Sequence, residues 1–294
     1  MKSMHEVQDN GLQLFALTRS GPRALSVDAS GGSVHDILEQ LPPGVYSALR
    51  TFQHNRFLML DAHLDRTQRS MERLGWTNRL DRGALRSALH AGVSAYRLPE
   101  ARARFDVLRE PATIQGVAAE VFLALSAHVP VPEEFLREGV RVEYARHLRR
   151  ETPLIKTTDF VRRRRPLPLN TRENFEGVLL DEQDRFLECS SANISFVRGD
   201  ELISAGDGVL EGITCRVLRE VAPALGLRWV DQRLPLAELG TVDEAFVSSS
   251  FRGVVPIVQF EEAKVGDGRV GPRVRALLEA YYAFAQSRAR PALE

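Results

Sequence analysis

Arg149-Arg150-Glu151-Thr152-Pro153-Leu154-Ile155-Lys156-Thr157-Thr158-Asp159-Phe160 holds a lysine in a chain whose basic positions are nearly all arginine. The other two lysines are Lys2, at the amino terminus, and Lys264, in a Gly-rich, charged segment that reads as a surface turn. Lys156 instead follows Pro-Leu-Ile and precedes Thr-Thr. Burial lowers the pKa of an ammonium toward the range where the neutral amine attacks a carbonyl, whereas arginine keeps its proton. Read alone, the stretch also fits a surface lysine without a role. Its neighbours decide between the two readings.

Three features downstream can serve one ligand. Leu187-Glu188-Cys189-Ser190-Ser191-Ala192-Asn193 sets a carboxylate at a strand end, followed by small polar residues. Leu210-Glu211-Gly212-Ile213-Thr214 places a glycine before a helix start, where free N–H groups hold phosphate. Val247-Ser248-Ser249-Ser250 ends a strand in hydroxyl donors. Each feature alone is also an ordinary acid, turn or loop. The run Arg162-Arg163-Arg164-Arg165-Pro166-Leu167-Pro168 reads as a solvated face, with its prolines ending a helix early.

Upstream, the apolar run Leu12 to Leu17 predicts a strand, closed by Ser20-Gly21-Pro22. Gly31-Gly32-Ser33 introduces a segment ending at Pro42-Pro43-Gly44. Val45 to Phe52 and Arg56 to Leu60 flank Gln53-His54-Asn55 as a hairpin, which places Arg50 near a strand end. Asp61 is a candidate N-cap for a helix from His63 to Gly75, a second helix runs from Arg82 to Tyr96, and strands lie near 103–108 and 116–124. Val129-Pro130-Val131-Pro132 is stiff and extended. The division is thus an N-terminal domain 1–128, a linker 129–138 and a C-terminal domain 139–294. In the last, short strands alternate with a helix after Thr214 and a closing helix from Pro272 to Ala285.

Composition narrows the function classes. The 294 residues suffice for two domains with substantial cores. Equal numbers of basic and acidic residues, 39 each, leave no global field to hold nucleic acid or an anionic membrane. Cys189 and Cys215 are too few for a disulfide framework, and no Cys/His cluster suggests a metal. No apolar run approaches membrane-spanning length, and the first residues are too polar for a signal peptide. A soluble, cytoplasmic protein is the expectation, with small molecules or its own copies as partners.

Lysine, then Glu-x-Ser-Ser-x-Asn, then Gly-Ile-Thr, then a hydroxyl-rich strand end before Val255-Pro256 resembles the class IV aminotransferases. These are the fold-type IV pyridoxal-phosphate enzymes, which include branched-chain and D-amino-acid aminotransferases and aminodeoxychorismate lyase. The resemblance begins at Val45-Tyr46-Ser47-Ala48-Leu49-Arg50, continues through Leu60-Asp61-Ala62-His63-Leu64-Asp65-Arg66, and ends at Val265 to Pro272. It implies an α+β fold with a small N-terminal α/β domain, a larger C-terminal domain with a mixed, barrel-like sheet, and a homodimer. It also implies that Lys156 is linked covalently to pyridoxal 5′-phosphate and moves the substrate proton, and that Glu188 pairs with the pyridine nitrogen. Arg50 is expected on the phosphate with Gly212, Ile213, Thr214 and Ser250, and Asn193 is expected to brace the turn after Glu188.

Departures are visible as well. Asp159-Phe160 stands where the family often has Asn-Tyr, so a tyrosine hydroxyl is missing there. Cys215 replaces an arginine after Gly-Ile-Thr, and Arg109 reads as a solvent arginine. The function implied is amino transfer between an amino acid and a 2-oxo acid, with branched-chain-like substrates expected. A lyase of the same fold that releases pyruvate, and a non-catalytic relative, are the alternatives.

Overall fold

The computed structural model describes residues 11–27, 38, 40–164, 167 and 169–294. The Gly31 to Ser33 entry and the helix-ending role of Pro166 and Pro168 lie outside the described residues. The chain forms β1 (Gln13–Thr18), β2 (Gly21–Leu25), β3 (Gly44–Phe52), β4 (Arg56–Phe57), α1 (Leu60–Arg73), α2 (Arg82–Ser94), β5 (Ala101–Ile114) and β6 (Val117–Ala127). With β16 (Arg290–Pro291), these strands make a seven-stranded sheet in the order β16-β4-β3-β5-β6-β1-β2. Pro22 therefore sits inside a strand rather than in a closing turn. Strand β2 is the sheet edge, where a missing N–H breaks no ladder. The β3–β4 turn carries Gln53 and His54 at positive φ, as the right-handed twist of a tight hairpin favours.

Asp61 does not cap α1. The helix begins at Leu60, entered through a left-handed Met59, and Asp61 lies in its first turn with its carboxylate paired to Arg86. Gly75 supplies the stop at φ 71°, donating to the Glu72 carbonyl. The inward face of α1 is unusual because His63, Arg66, Thr67 and Ser70 are buried beside Leu64 and Met71.

Within 129–138, expected to be a linker, residues 133–138 form a short helix, α3 (Glu133–Glu138), started by Pro132 and ended by Gly139. The elements that follow are β7 (Val140–Tyr144), α4 (Thr158–Arg164), β8 (Gly177–Leu180), β9 (Phe186–Cys189), β10 (Asn193–Arg198) and β11 (Glu201–Ser204). Then come α5 (Ile213–Val221), a 3₁₀ turn over Ala222–Leu225, β12 (Arg228–Asp231), β13 (Glu244–Ser249), β14 (Gly253–Phe260), β15 (Ala263–Lys264) and α6 (Pro272–Arg288). The second sheet is mixed, in the order β12-β11-β10-β13-β14-β7-β8-β9, with β15 on β14. It curls until β9 meets β10, where Cys189 N–H donates to the Ala192 carbonyl at 2.8 Å. Phe186, Phe196 and Phe260 fill the curl with ring centroids 4.8–6.1 Å apart. Strand β14, buried on both faces, accounts for its continuous Val-Val-Pro-Ile-Val run.

The two sheets are laced together at the lysine segment. Tyr46 N–H donates to the Lys156 carbonyl at 3.0 Å, Gly44 N–H to Thr158 Oγ1 at 2.9 Å, and Val45 bridges to Thr157. Residues 290–291 return to the first sheet and pair with β4. Among the described residues no helix is long and apolar enough to cross a membrane, and no cluster of His, Cys, Asp and Glu is placed to hold a metal ion.

Candidate active site

A cavity of about 640 Å³ opens where the sheets meet. Lys156, at the end of the laced segment, is half-buried in it, with Nζ 4.8 Å from the centroid of the Tyr46 ring. Burial brings the Lys156 amine down to about 8, against the attraction of Tyr46 and with help from Arg66, Arg150 and Arg164. Burial alone would raise the Tyr46 phenol, but the charges of Lys156, Arg164, Arg104 and Arg150 outweigh it and hold the phenol at about 7.

Glu188, at the end of β9, is buried with Arg150 Nε 2.7 Å from its Oε1. Desolvation raises its pKa, while Arg150, Lys156 and the Leu210 N–H work in the opposite direction. The Arg150 guanidinium carbon sits over the Phe160 ring, 3.8 Å from its centroid. Phe160 is thus a core residue with Leu148 and Leu179, and the phenol beside the lysine comes from Tyr46 instead.

Helix α5 opens the cavity floor. Its N-cap, Gly212, offers no side chain, so the first-turn N–H groups are uncapped. Gly212 is required by packing, because a Cβ there would lie 2.0 Å from Asn193 Oδ1. Asn193 in turn donates from Nδ2 to the Leu210 carbonyl at 2.9 Å, which ties the turn after Glu188 to the turn before α5. Ser248, Ser249 and Ser250 line the same cavity from the end of β13.

Of the expected site residues, Lys156, Glu188, Asn193, Gly212, Ile213, Thr214 and Ser250 all line this cavity. Arg50 does not. Strand alternation puts it on the same face as Tyr46 and Ala48, but about 7 Å farther along than Ala48. There its guanidinium pairs with Glu100 and stacks on Phe52. Arg66, from α1, does line the cavity, on the side of Glu211 and the start of α5. Its Nη1 donates to the Glu211 carbonyl at 3.1 Å and its Nη2 to Ser47 Oγ at 3.2 Å. That leaves the Ser47 hydroxyl, 2.9 Å from His63 Nδ1, free to donate to it. His63 stays neutral because burial and the nearby Arg66, Lys156 and Arg216 charges hold its pKa well below 6.5.

Two further residues escaped the sequence reading. Glu176, fully buried, accepts from Ser190 Oγ at 2.6 Å and from Ser191 N–H at 3.2 Å, and it pairs with Arg252. Arg164 is not part of a solvated face: it lines the cavity and donates to the Ser190 carbonyl at 2.7 Å. Arg162 likewise turns inward to the Leu41 carbonyl, while Arg163 pairs at the surface with Glu151. Arg109 is exposed, as expected.

Residues 44–260 match the family described as Amino-transferase class IV. The chain belongs to that family. This class IV aminotransferase is 26% identical to D-alanine aminotransferase of Listeria monocytogenes over 276 residues, covering 87% of this chain and 91% of the relative. It is also 26% identical to a branched-chain-amino-acid aminotransferase of Pseudomonas aeruginosa over 255 residues, covering 81% and 83%. Its fold is that of the branched-chain amino acid aminotransferase of Thermobaculum terrenum, solved in its PLP-form, with a TM-score of 0.74 at 18% identity over 95% of this chain and 98% of that one. The α+β architecture with two curled sheets agrees with the expected fold class.

Proposed function

We propose that this enzyme uses pyridoxal 5′-phosphate to move an amino group between an amino acid and a 2-oxo acid. The observation that carries the reading is the convergence, on one cavity, of a lysine held near a neutral amine with a buried carboxylate. The residues present fit the cofactor by their chemistry. Arg66, the uncapped N–H groups of Ile213 and Thr214, and Ser250 form a donor set suited to a phosphate. Glu188, held by Arg150, is an acceptor suited to a protonated pyridine nitrogen. When bound, the cofactor supplies a carbonyl that takes the amino group and a ring that accepts the electron pair left by the departing proton.

This chain's own residues supply the rest. Lys156, with its amine brought down to about 8, gives up its proton far more readily than an ordinary lysine, and it faces the cavity as the base that takes and returns the substrate proton. Tyr46, facing Lys156 and titrating at about 7, gives that ammonium a partner when it is charged. Asn193 and Gly212 fix the distance between the carboxylate end of the cavity and its phosphate end. We further read the enzyme as a homodimer in the cytoplasm. The two free thiols agree with a reducing compartment, and Val129, 80% exposed at the cavity rim, is apolar surface a second copy would cover.

The test is absorbance of the protein reconstituted with pyridoxal phosphate. An amino acid supplied alone should bleach the visible band stoichiometrically, and a 2-oxo acid should restore it. Release of pyruvate from aminodeoxychorismate, with no amino acid of either enantiomer bleaching the band, would replace this reading with the lyase. No colour at all would leave the non-catalytic relative.

A further inference from the structure

Helix α1 turns a polar stripe toward β3. His63, Thr67 and Ser70 are buried there, on a face where packing against a sheet favours apolar side chains. Thr67 and Ser70 use their hydroxyls within the helix, donating to the His63 and Arg66 carbonyls at 2.9 Å each. His63 instead reaches the strand. Its Nδ1 lies 2.9 Å from Ser47 Oγ, and the same oxygen accepts from Nη2 of Arg66 at 3.2 Å. His63 and Arg66 stand at i, i+3 spacing on one face of the helix, so a single strand hydroxyl meets both.

Chemistry fixes the direction of these bonds. A guanidinium only donates, so Ser47 Oγ accepts from Arg66 and the hydroxyl proton is left for His63 Nδ1. Burial and the charges of Arg66, Lys156 and Arg216 keep the imidazole neutral, which leaves Nδ1 an acceptor once the ring proton sits on Nε2. Ser47 is fully buried, and a hydroxyl there without a taker for its proton would be left unpaired away from solvent.

Arg66 itself meets neutral groups. Its Nη1 donates to the Glu211 carbonyl, while the Glu211 carboxylate turns outward to Arg69 at 3.0 Å and to Arg216 at 2.6 Å. A carboxylate partner would hold the guanidinium and neutralise it as well. A carbonyl and a hydroxyl hold it and leave its charge for an anion that enters the cavity. The hydroxyl can do so only if it is kept from rotating, and His63 Nδ1 is the group that keeps it.

We propose that His63 is a positioning residue for the phosphate end of the cavity: by accepting the Ser47 proton it holds the Ser47 lone pair on Arg66 Nη2, leaving the rest of the guanidinium fork for the cofactor phosphate. This rests on the reading of Arg66 as a phosphate ligand and adds the residues that hold it in place. A histidine that only filled space would need its volume and not its acceptor nitrogen.

The experiment titrates the cofactor-free protein, by absorbance, with pyridoxal phosphate and with pyridoxal, which has the same ring and carbonyl without the phosphate. His63→Phe keeps the bulk of the ring and loses the acceptor. It is expected to weaken pyridoxal phosphate by about three- to tenfold and to leave pyridoxal unchanged. His63→Asn has less bulk but offers an amide oxygen to the Ser47 proton, and it should stay near the wild type with both ligands. Ser47→Ala reads the same contact from the strand, should lose at least as much as His63→Phe, and takes its place if that variant does not fold. Equal loss of both ligands, loss of neither, or an Asn variant as weak as the Phe variant overturns the proposal and leaves His63 a packing residue. Arg66→Met separates the two levels. If it binds pyridoxal phosphate as the wild type does, the phosphate reading of Arg66 fails. If it weakens pyridoxal phosphate selectively while His63→Phe and Ser47→Ala do not, only the positioning role falls.

Discussion

Lys156 Nζ lies 4.8 Å from the centre of the Tyr46 ring, and each group moves the titration of the other. Strand β3 brings the phenol there through the backbone bond from Tyr46 N–H to the Lys156 carbonyl, so the pair is fixed by main chain as well as side chain. Charge on the phenol favours the ammonium, and charge on the ammonium favours the phenolate.

A pH dependence of stability follows. Folding lowers Lys156 from 10.5 to about 8 and Tyr46 from 10.0 to about 7. Both groups therefore keep their protons to higher pH in the unfolded chain, and the cofactor-free protein should gain stability as pH climbs from about 7 toward about 10. In Tyr46→Phe the Tyr46 contribution is gone, so the gain shrinks, and the Lys156 amine moves below about 8. Urea midpoints at about pH 7 and about pH 9 measure the first effect, and pH-dependent acetylation of Lys156 followed by mass spectrometry measures the second. Identical behaviour of the two proteins would show that the pair is not coupled.

Cofactor affinity should separate Arg66 from Arg50. Arg66→Met removes a buried guanidinium from the phosphate end and should weaken pyridoxal-phosphate binding by about ten- to a hundredfold. Arg50→Met should leave binding unchanged and lower stability by about 1–2 kcal/mol, since its partner Glu100 keeps access to water. Fluorescence titration with the cofactor checks the first claim and urea unfolding the second. A loss of cofactor affinity in Arg50→Met equal to that in Arg66→Met would restore Arg50 to the site.

The sequence made these residues unequally legible. Lys156 stands out because the chain otherwise uses arginine, and Glu188, Asn193 and Gly212 lie in short motifs whose spacing survives folding. Arg66 is hidden by the same arginine bias that exposes Lys156. Its signals are its place at the end of the Leu60 to Arg66 stretch that carries the resemblance, and the polar stripe His63, Arg66, Thr67 and Ser70 along the inward face of α1, where an amphipathic helix would carry apolar residues. Arg164 was masked by its neighbours, because a charge run does not say which member turns inward, and helix α4 turns Arg162 and Arg164 to partners that Arg163 cannot reach. Glu176 pairs with residues 14, 15 and 76 positions away, a closeness that only the curled sheet creates. Strands were read well where alternation or apolar runs were long. The helix starts at Arg82 and Pro272 were legible too, whereas the start near Asp61 was misplaced because a distant arginine takes the carboxylate.

Glu188→Gln should retain the cofactor but slow proton removal from the substrate by about ten- to a hundredfold, the loss of one charge-assisted bond. The same change leaves Arg150 on Phe160 without its carboxylate. Arg150→Met therefore makes a useful companion, since it removes the guanidinium next to the buried Glu188 and should raise the carboxyl pKa further. The rate of Arg150→Met should recover as pH is raised, while that of Glu188→Gln should not. Single-turnover rates across pH test this, and a flat profile for Arg150→Met would show that Arg150 does not act through Glu188.

Gly212→Ala tests whether the turn before α5 is as tightly specified as the packing shows. The added Cβ would meet Asn193 Oδ1 at 2.0 Å, and Asn193 cannot swing away without breaking its bond to the Leu210 carbonyl. Leu210 N–H supports Glu188, and the uncapped start of α5 follows directly, so the shift should reach both ends of the cavity. The expected costs are about 1–3 kcal/mol of stability and a weaker hold on the cofactor phosphate. Asn193→Ala alone loses the brace, but in the double variant it also removes the clashing oxygen. The double variant should therefore be more stable than the two single losses added together, a coupling of about 0.5–3 kcal/mol read from urea unfolding of the four proteins. Simple additivity would mean that the glycine is required by something other than Asn193.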